Sequence, residues 1–217
     1  NPLAEPGLIG ISAAAALGAV IAIQAGVSTL GLGVPTAGLA GALAGVGLIL
    51  VLAGRGGSGL GLILGGISVS ALAGALTALV LNLSPNPFAA YDIMFWTMGS
   101  LADRSWGHVL TALPLMGLGW AVLLWAGRDL DALSLGEEAA ASMGVDLAAL
   151  RLKVVLGAAA AVGAATAVAG AVGFVGLVVP HLLRGAVGAM PSRLLPAAAL
   201  GGAALVLTAD IAVRLIM

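Results

Sequence analysis

The chain has 217 residues, 61% hydrophobic and only 8% charged, against roughly 25% charged in an ordinary soluble domain, so ionised groups could not cover its surface in water. A net charge of −1 offers nucleic acid no electrostatic footprint, and the absence of cysteine excludes a disulfide framework, a thiolate metal site and a cysteine nucleophile. What remains is a polytopic membrane protein, an all-α bundle of transmembrane helices. It runs from Asn1, with no initiator Met, to Met217 directly after an apolar run, which reads as a piece of a longer protein in which no signal peptide can be judged.

A helix needs roughly 20 mostly apolar residues to cross the hydrocarbon core. The stretches 7–26, 35–53 and 59–81 qualify in turn. Small-xxx-small steps such as Gly41/Gly45 and Gly61/Gly65 suit close backbone packing between them. The Gly56-Gly57-Ser58-Gly59 stretch reads as a turn between two spans; its fit to the short GxSG pattern of intramembrane serine proteases is weak in a chain that holds 34 glycines.

The next segment, 82–106, NLSPNPFAAYDIMFWTMGSLADRSW, holds Phe88, Tyr91, Phe95, Trp96 and Trp106, five of the eight aromatics. Such rings favour the membrane interface, so 83–106 is expected to form a short helix and loop at the outer surface. It would serve either as an anchor belt or as a lid or vestibule wall. A fourth span follows at 107–126.

The segment 127–153, GRDLDALSLGEEAAASMGVDLAALRLK, collects five of the nine acidic and three of the eight basic residues. Ser134 with Glu137 has the spacing of a capping box, which would place Leu135, Ala139 and Met143 on one helix face. Gly144 can end that helix in the left-handed conformation, and Asp146 can cap a second helix leading into the next span. The expected result is a compact knob, either an ordinary solvated connection or a docking surface for a partner.

The uncharged stretch 154–180 is long for one span and short for two. Gly170, Gly173 and Gly176 favour a break, giving short helices over 154–170 and 172–188. Within GFVGLVVPHLLR, at 173–184, Pro180 is tolerable in a membrane helix, and Arg184 can reach water at the helix end. His181 reads as a hydrogen-bonded helix residue rather than a ligand or base. A last span at 194–213 brings the total to seven, and Asp210 with Arg214 at i,i+4 forms a local ion pair or presents Arg214 to an acidic partner.

Cytoplasmic ends collect Lys and Arg. If the first span runs outward, Arg55, Arg128, Arg151, Lys153, Arg184 and Arg193 fall inside and only Arg104 and Arg214 outside. Lys153 is the only lysine and no GxxxxGK[ST] precedes it, so the chain has no phosphate-cradling loop of its own. No HExxH occurs, and His108 and His181 stand alone, leaving metal hydrolysis without support.

Five stretches, NPLAEPGLIGIS at 1–12, FWTMGSL at 95–101, LGEEAAASMGV at 135–145, GFVGLVVPHLLR at 173–184 and ADIAVR at 209–214, resemble in order the motifs of one family. It comprises the FecCD-type permease subunits of bacterial ABC importers (type II) for iron–siderophore complexes, haem and cobalamin. The resemblance implies a single permease domain over 1–217 carrying about seven of the family's ten spans, with the first two and the last missing. It implies a non-enzymatic, multi-pass protein of the bacterial cytoplasmic membrane, paired with a second permease copy, two ABC ATPases that bind the ATP and magnesium, and an extracytoplasmic substrate-binding protein.

Carried onto this chain, the resemblance makes Ser134, Leu135, Gly136, Glu137, Glu138, Ala141, Met143, Gly144, Val145 and Arg151 the coupling surface for the ATPase. Arg214 would meet the binding protein. Asn1 and Leu3, and Ser58, Gly59 and Leu60, would stand at two cytoplasmic gates, with Trp96 and Met98 beside the path. Gly173, Gly176, Pro180, His181 and Arg184 would form a structural hinge. FWTMGSL is more similar to iron-chelate permeases than to the cobalamin branch, implying a ferric siderophore first and haem second, with cobalamin the alternative. A gradient-driven secondary carrier is the rival from another class, but its ion-coupling acids belong near mid-membrane, and here the acids lie mainly in loops or at span ends.

Overall fold

The computed structural model describes residues 10–26, 33–54, 59–84 and 87–216. Arg55 and the gate positions Asn1, Leu3 and Ser58 lie outside them. The described residues form ten helices and no strand: α1 Ile11–Gln24, α2 Gly33–Ala53, α3 Gly59–Asn82, α4 Pro87–Met98, α5 Trp106–Trp125, α6 Gly127–Leu133, α7 Glu137–Ser142, α8 Leu147–Ala169, α9 Val175–Val187 and α10 Pro191–Ile216. Five of them, α2, α3, α5, α8 and α10, are long and apolar enough to cross a membrane, while α1 and α9 are apolar but shorter.

By their internal contacts the described residues divide into two compact units. One comprises 10–120 and 155–172. Its centre is built from small side chains, since in lipid there is no hydrophobic drive between helices and close backbone approach must supply the attraction. Ile11, Ala14 and Ala15 of α1, Ala42, Val46 and Ile49 of α2, Val69 of α3, and Val155 and Ala159 of α8 form one buried cluster. At Gly41 a Cβ would run into α1 at the Ala14 carbonyl, so only glycine lets α1 and α2 lie this close. Gly65 of α3 packs beside α2, 3.4 Å separating its Cβ position from the Ile49 carbonyl oxygen. The hydroxyl of Thr166, itself buried, donates to Ser12 Oγ at 3.4 Å and ties α8 to α1.

The other unit comprises 121–154 and 173–216. Here α9 lies along α10, where the Cβ position of Gly201 is 3.0 Å from Val179 Cγ1 and that of Gly202 is 3.4 Å from Val175 Cγ1. The short α6 abuts the first turn of α10: Gly127 faces Ser192, and Asp131 Oδ1 accepts the Ser192 backbone N–H at 2.9 Å. That bond satisfies one of the free N–H groups at the start of α10.

Two expectations require correction. The short helix expected after Asp146 and the span expected from 154 are one continuous helix from Leu147, because Asp146 caps it as expected and the charges at Arg151 and Lys153 find partners near its start. The break that follows is made by Gly170 at φ 78° and Phe174 at φ 66°, not by Gly173 or Gly176. The Gly170 N–H returns to the Thr166 carbonyl at 2.8 Å, closing α8 with a single left-handed residue. Gly176 lies inside α9, where Pro180 is accommodated without ending the helix.

Candidate coupling knob and flanking segments

Residues 127–153 fold as α6, α7 and the first turns of α8. Ser134 does not cap α7. Its hydroxyl donates to the Asp131 carbonyl at 2.6 Å and its N–H to the Leu130 carbonyl, so it closes α6. The residue preceding α7 is Gly136, at φ 111° and ψ 156°, and no side chain caps it. The capping box is absent because both members are engaged elsewhere: Ser134 with α6, and Glu137 with Arg151 Nη2 at 2.7 Å. Leu135 falls ahead of α7 and leaves the helix face proposed for it, although it and Met143 are both exposed.

The exit from α7 matches expectation. Val145 N–H reaches the Ala140 carbonyl and Gly144 N–H the Ala141 carbonyl, at 3.1 and 3.0 Å, with Gly144 at φ 85°. This Schellman pair satisfies two helix-end carbonyls and turns the chain sharply. Asp146 Oδ1 then accepts from the N–H groups of Ala148 and Ala149 at 3.0 Å each, capping α8. The knob is thus two helix ends locked back to back by local bonds, with Ala140 and Leu150 buried as its apolar anchors.

Arg151 and Glu137, 21% and 61% exposed, form the brace from α8 to α7. At that exposure an ion pair contributes about 0.2–1 kcal/mol, enough to bias the angle of the knob but not to hold it alone. Lys153 lies 3.9 Å from Asp129 Oδ2 and 5.0 Å from the centroid of the Trp125 ring. Hydrogen bonds from Ser192, side chain first, and the nearby Arg193 charge hold the Asp131 carboxyl below the usual carboxylate range. Exposed on the knob are Leu135, Gly136, Ala141, Met143 and Gly144 together with Ser134, Ser142 and the acids Glu137, Glu138 and Asp146, of which Glu137 is paired with Arg151.

The remaining candidate residues are dispersed. Gly59 and Leu60 open α3, with Leu60 exposed. Trp96 packs against the cluster of Val20, Ile23 and Ile93, while Met98 is exposed at the end of α4. Arg214 Nε pairs with Asp210 Oδ2 at 2.8 Å and remains exposed. His181 lies within α9 as a helix residue, exposed, and its side chain hydrogen-bonds no described residue. Arg184 is half-buried, and its Nε is enclosed without a partner among the described residues. Those residues contain no group of three His, Cys, Asp or Glu side chains placed to hold a metal.

One junction was not among the candidates. Gly99, at φ 73°, ends α4 directly against Gly170, the residue that ends α8, and the Ser100 N–H donates to the Ala169 carbonyl at 2.7 Å. The signal was present in FWTMGSL, whose glycine follows the last helical residue as a left-handed stop would.

Long apolar helices, packed in one unit around a core of small residues, define a multi-pass helical membrane protein. The FecCD transport family matches over residues 1–217, and the chain belongs to that family. It is a multi-pass protein of the inner membrane. It is 40% identical to the cobalamin import system permease BtuC of Halobacterium salinarum, covering 99% of this chain and 58% of the relative. With the hemin transport system permease HmuU of Yersinia pestis it shares 39%, over 99% and 65%. With the Fe(3+) dicitrate permease FecD of Escherichia coli it shares 37%, over 100% and 67%. A solved structure assigned to a metal-chelate type ABC transporter in an inward-facing conformation superposes with a TM-score of 0.93 at 34% identity, covering 100% of this chain and 69% of that one. The chain therefore spans between about three-fifths and two-thirds of the length of these relatives.

Proposed function

We propose that the chain is the membrane-spanning part of an ATP-binding-cassette importer that carries an iron chelate across the cytoplasmic membrane, a ferric siderophore first and haem second. Family membership supports the importer class. The relatives are named for cobalamin, hemin and ferric dicitrate, so cobalamin is the alternative cargo. ATP and magnesium belong to a separate ATPase; the chain itself is not an enzyme. A second permease, identical or paired, completes the pore, and a binding protein delivers the chelate at Arg214.

The observation that carries this reading is the knob. Its exposed residues combine the large apolar side chains Leu135 and Met143 with the acids Glu137, Glu138 and Asp146, and apolar anchors among polar residues are what an interface patch presents. Because α7 is locked to the head of α8 by Gly144, Asp146 and the Arg151–Glu137 pair, a push on the knob is delivered to a span rather than absorbed by a loop. ATP-driven closure of the ATPase dimer would move it as a lever. Asn1, Leu3, Ser58, Gly59 and Leu60 would act as gates, and Trp96 and Met98 would flank the path.

The test uses the full-length permease reconstituted with its ATPase, measuring chelate uptake and ATP hydrolysis. Glu138→Arg, which leaves the internal brace intact, is expected to lower uptake about tenfold, the effect of about 1.4 kcal/mol of lost docking. Deletion of 135–145 should abolish it. Uptake and hydrolysis unchanged in both variants would remove the coupling role.

A further inference from the structure

The helix α10 begins without a cap of its own. Ahead of it stands Met190, whose carbonyl accepts the N–H groups of Arg193 and Leu194 at 3.1 and 2.9 Å, but whose thioether is only a weak acceptor. Pro191 has no N–H, and that of Ser192, in the first turn, has no acceptor within the helix. The acceptor comes from another helix: Asp131 Oδ1 takes the Ser192 N–H at 2.9 Å. The Ser192 carbonyl is released as well, because Pro196, four residues on, has no N–H to return to it. The first turn of α10 is thus tied to α6 at the residue where its own helix holds it least.

Gly127 makes the approach possible. It is buried against Ser192, where a Cβ would stand 3.2 Å from Ser192 Cα. At its other end α6 runs into the knob, with the Ser134 hydroxyl on the Asp131 carbonyl and the Gly136 N–H on the Leu133 carbonyl just ahead of α7. The knob is therefore attached to two spans, to α8 by Asp146 and the Arg151–Glu137 pair, and to α10 by Asp131. Asp129, on the same short helix, faces Lys153 instead. From this joint α10 continues unbroken to Ile216, with Val175 and Val179 of α9 packed against Gly202 and Gly201 in its middle. At 1.5 Å per residue it carries Arg214 about 33 Å from Ser192 along its axis.

We propose that Asp131 is a positioning residue for transmembrane coupling, making the head of α10 move with the knob, so that one helix joins the ATPase-facing surface to the outer contact at Arg214. This rests on the roles proposed above for the knob and for Arg214, and adds the route between them. With the bond in place, a displacement at either end of α10 is passed to the other. Without it, the uncapped first turn frays and absorbs the motion.

The experiment takes the full-length permease reconstituted with its ATPase in vesicles, and measures ATP hydrolysis as the binding protein is titrated onto the outer face. In Asp131→Ala, basal hydrolysis and the half-saturating concentration of binding protein should stay as in the unsubstituted protein, while the maximal stimulation falls several-fold. Asp131→Asn, whose amide oxygen still accepts the Ser192 N–H, should retain the stimulation, and so should Asp129→Ala. At saturating binding protein, Arg214→Ala should lower the stimulation in the unsubstituted background and add nothing in Asp131→Ala. Full stimulation in Asp131→Ala overturns the proposal, as does an equal loss in Asp129→Ala, which would make the charge of α6 the cause. A proportional fall of basal and stimulated hydrolysis overturns it too, because Asp131 would then serve folding alone. An unsubstituted protein that supports ATP hydrolysis but no stimulation would leave the ATPase contact standing and remove the coupling to Arg214, and the role of Asp131 with it.

Discussion

Gly170 and Gly144 both have left-handed backbones, at φ 78° and 85°, but their surroundings differ. A Cβ on Gly170 would press into the Trp96 carbonyl oxygen and lie 2.7 Å from Gly99 Cα, whereas one on Gly144 would meet nothing within 4 Å. Alanine at 144 therefore carries only the left-handed penalty, about 1–2 kcal/mol. Alanine at 170 must also part α4 from α8 and disturb the Ser100 to Ala169 bond, and an overpacked site of this kind adds about 1–3 kcal/mol. In thermal unfolding of the full-length protein in detergent, Gly170→Ala is expected to lower the midpoint clearly more than Gly144→Ala; equal shifts would mean that the α4–α8 contact yields freely. Both glycines are legible as helix stops because they end apolar or alanine-rich runs. Phe174 is not, since a bulky residue at positive φ has no sequence signature and is held there by its surroundings.

At the scale of whole helices, the long apolar runs were readable because lipid imposes length and composition directly. The expected 35–53, 59–81 and 107–126 fall within two residues of α2, α3 and α5 at both ends. The start of α8 was readable as the Asp146 cap, but its unbroken run into the span was not: Arg151 and Lys153 look like the end of a loop until Glu137, Asp129 and the Trp125 ring are brought to them by the fold. The separate α6 was hidden for the same reason, being seven residues stabilised by what it touches rather than by propensity. Its link to α10 runs through Asp131, whose carboxyl is held below its ordinary value by the Ser192 hydroxyl and N–H. A folded-state value below the unfolded one means that this stabilisation is complete above the ordinary carboxylate range and is lost as pH falls through the lowered value. Amide exchange at Ser192 should therefore stay slow through neutral and mildly acidic pH, accelerate only below the usual carboxylate range, and be fast at neutral pH in Asp131→Ala. Exchange at Ser192 indifferent to both changes would show that α10 begins without help from α6.

For the molecule as a whole, orientation in the membrane follows from charge. Six of eight basic residues fall on one side of the alternating path, and α5 is the span that divides the 99–105 connection from the knob at 127–146. The knob shares its side with Arg128, Arg151 and Lys153, while the other connection contributes Arg104 alone. Basic residues near span ends resist translocation, so the knob should face the cytoplasm and Ala102 the exterior. The absence of cysteine makes this directly testable, because a single introduced thiol is the only one in the chain. In the full-length protein, cleared of any cysteine outside this chain, Ala102→Cys should react with a membrane-impermeant thiol reagent in intact spheroplasts. Ser142→Cys, exposed on α7, should react only after lysis. The reverse pattern would put the knob outside, out of reach of any ATPase, and the coupling role would fall with it. Labelling of both sites in intact cells would mean that α5 does not cross.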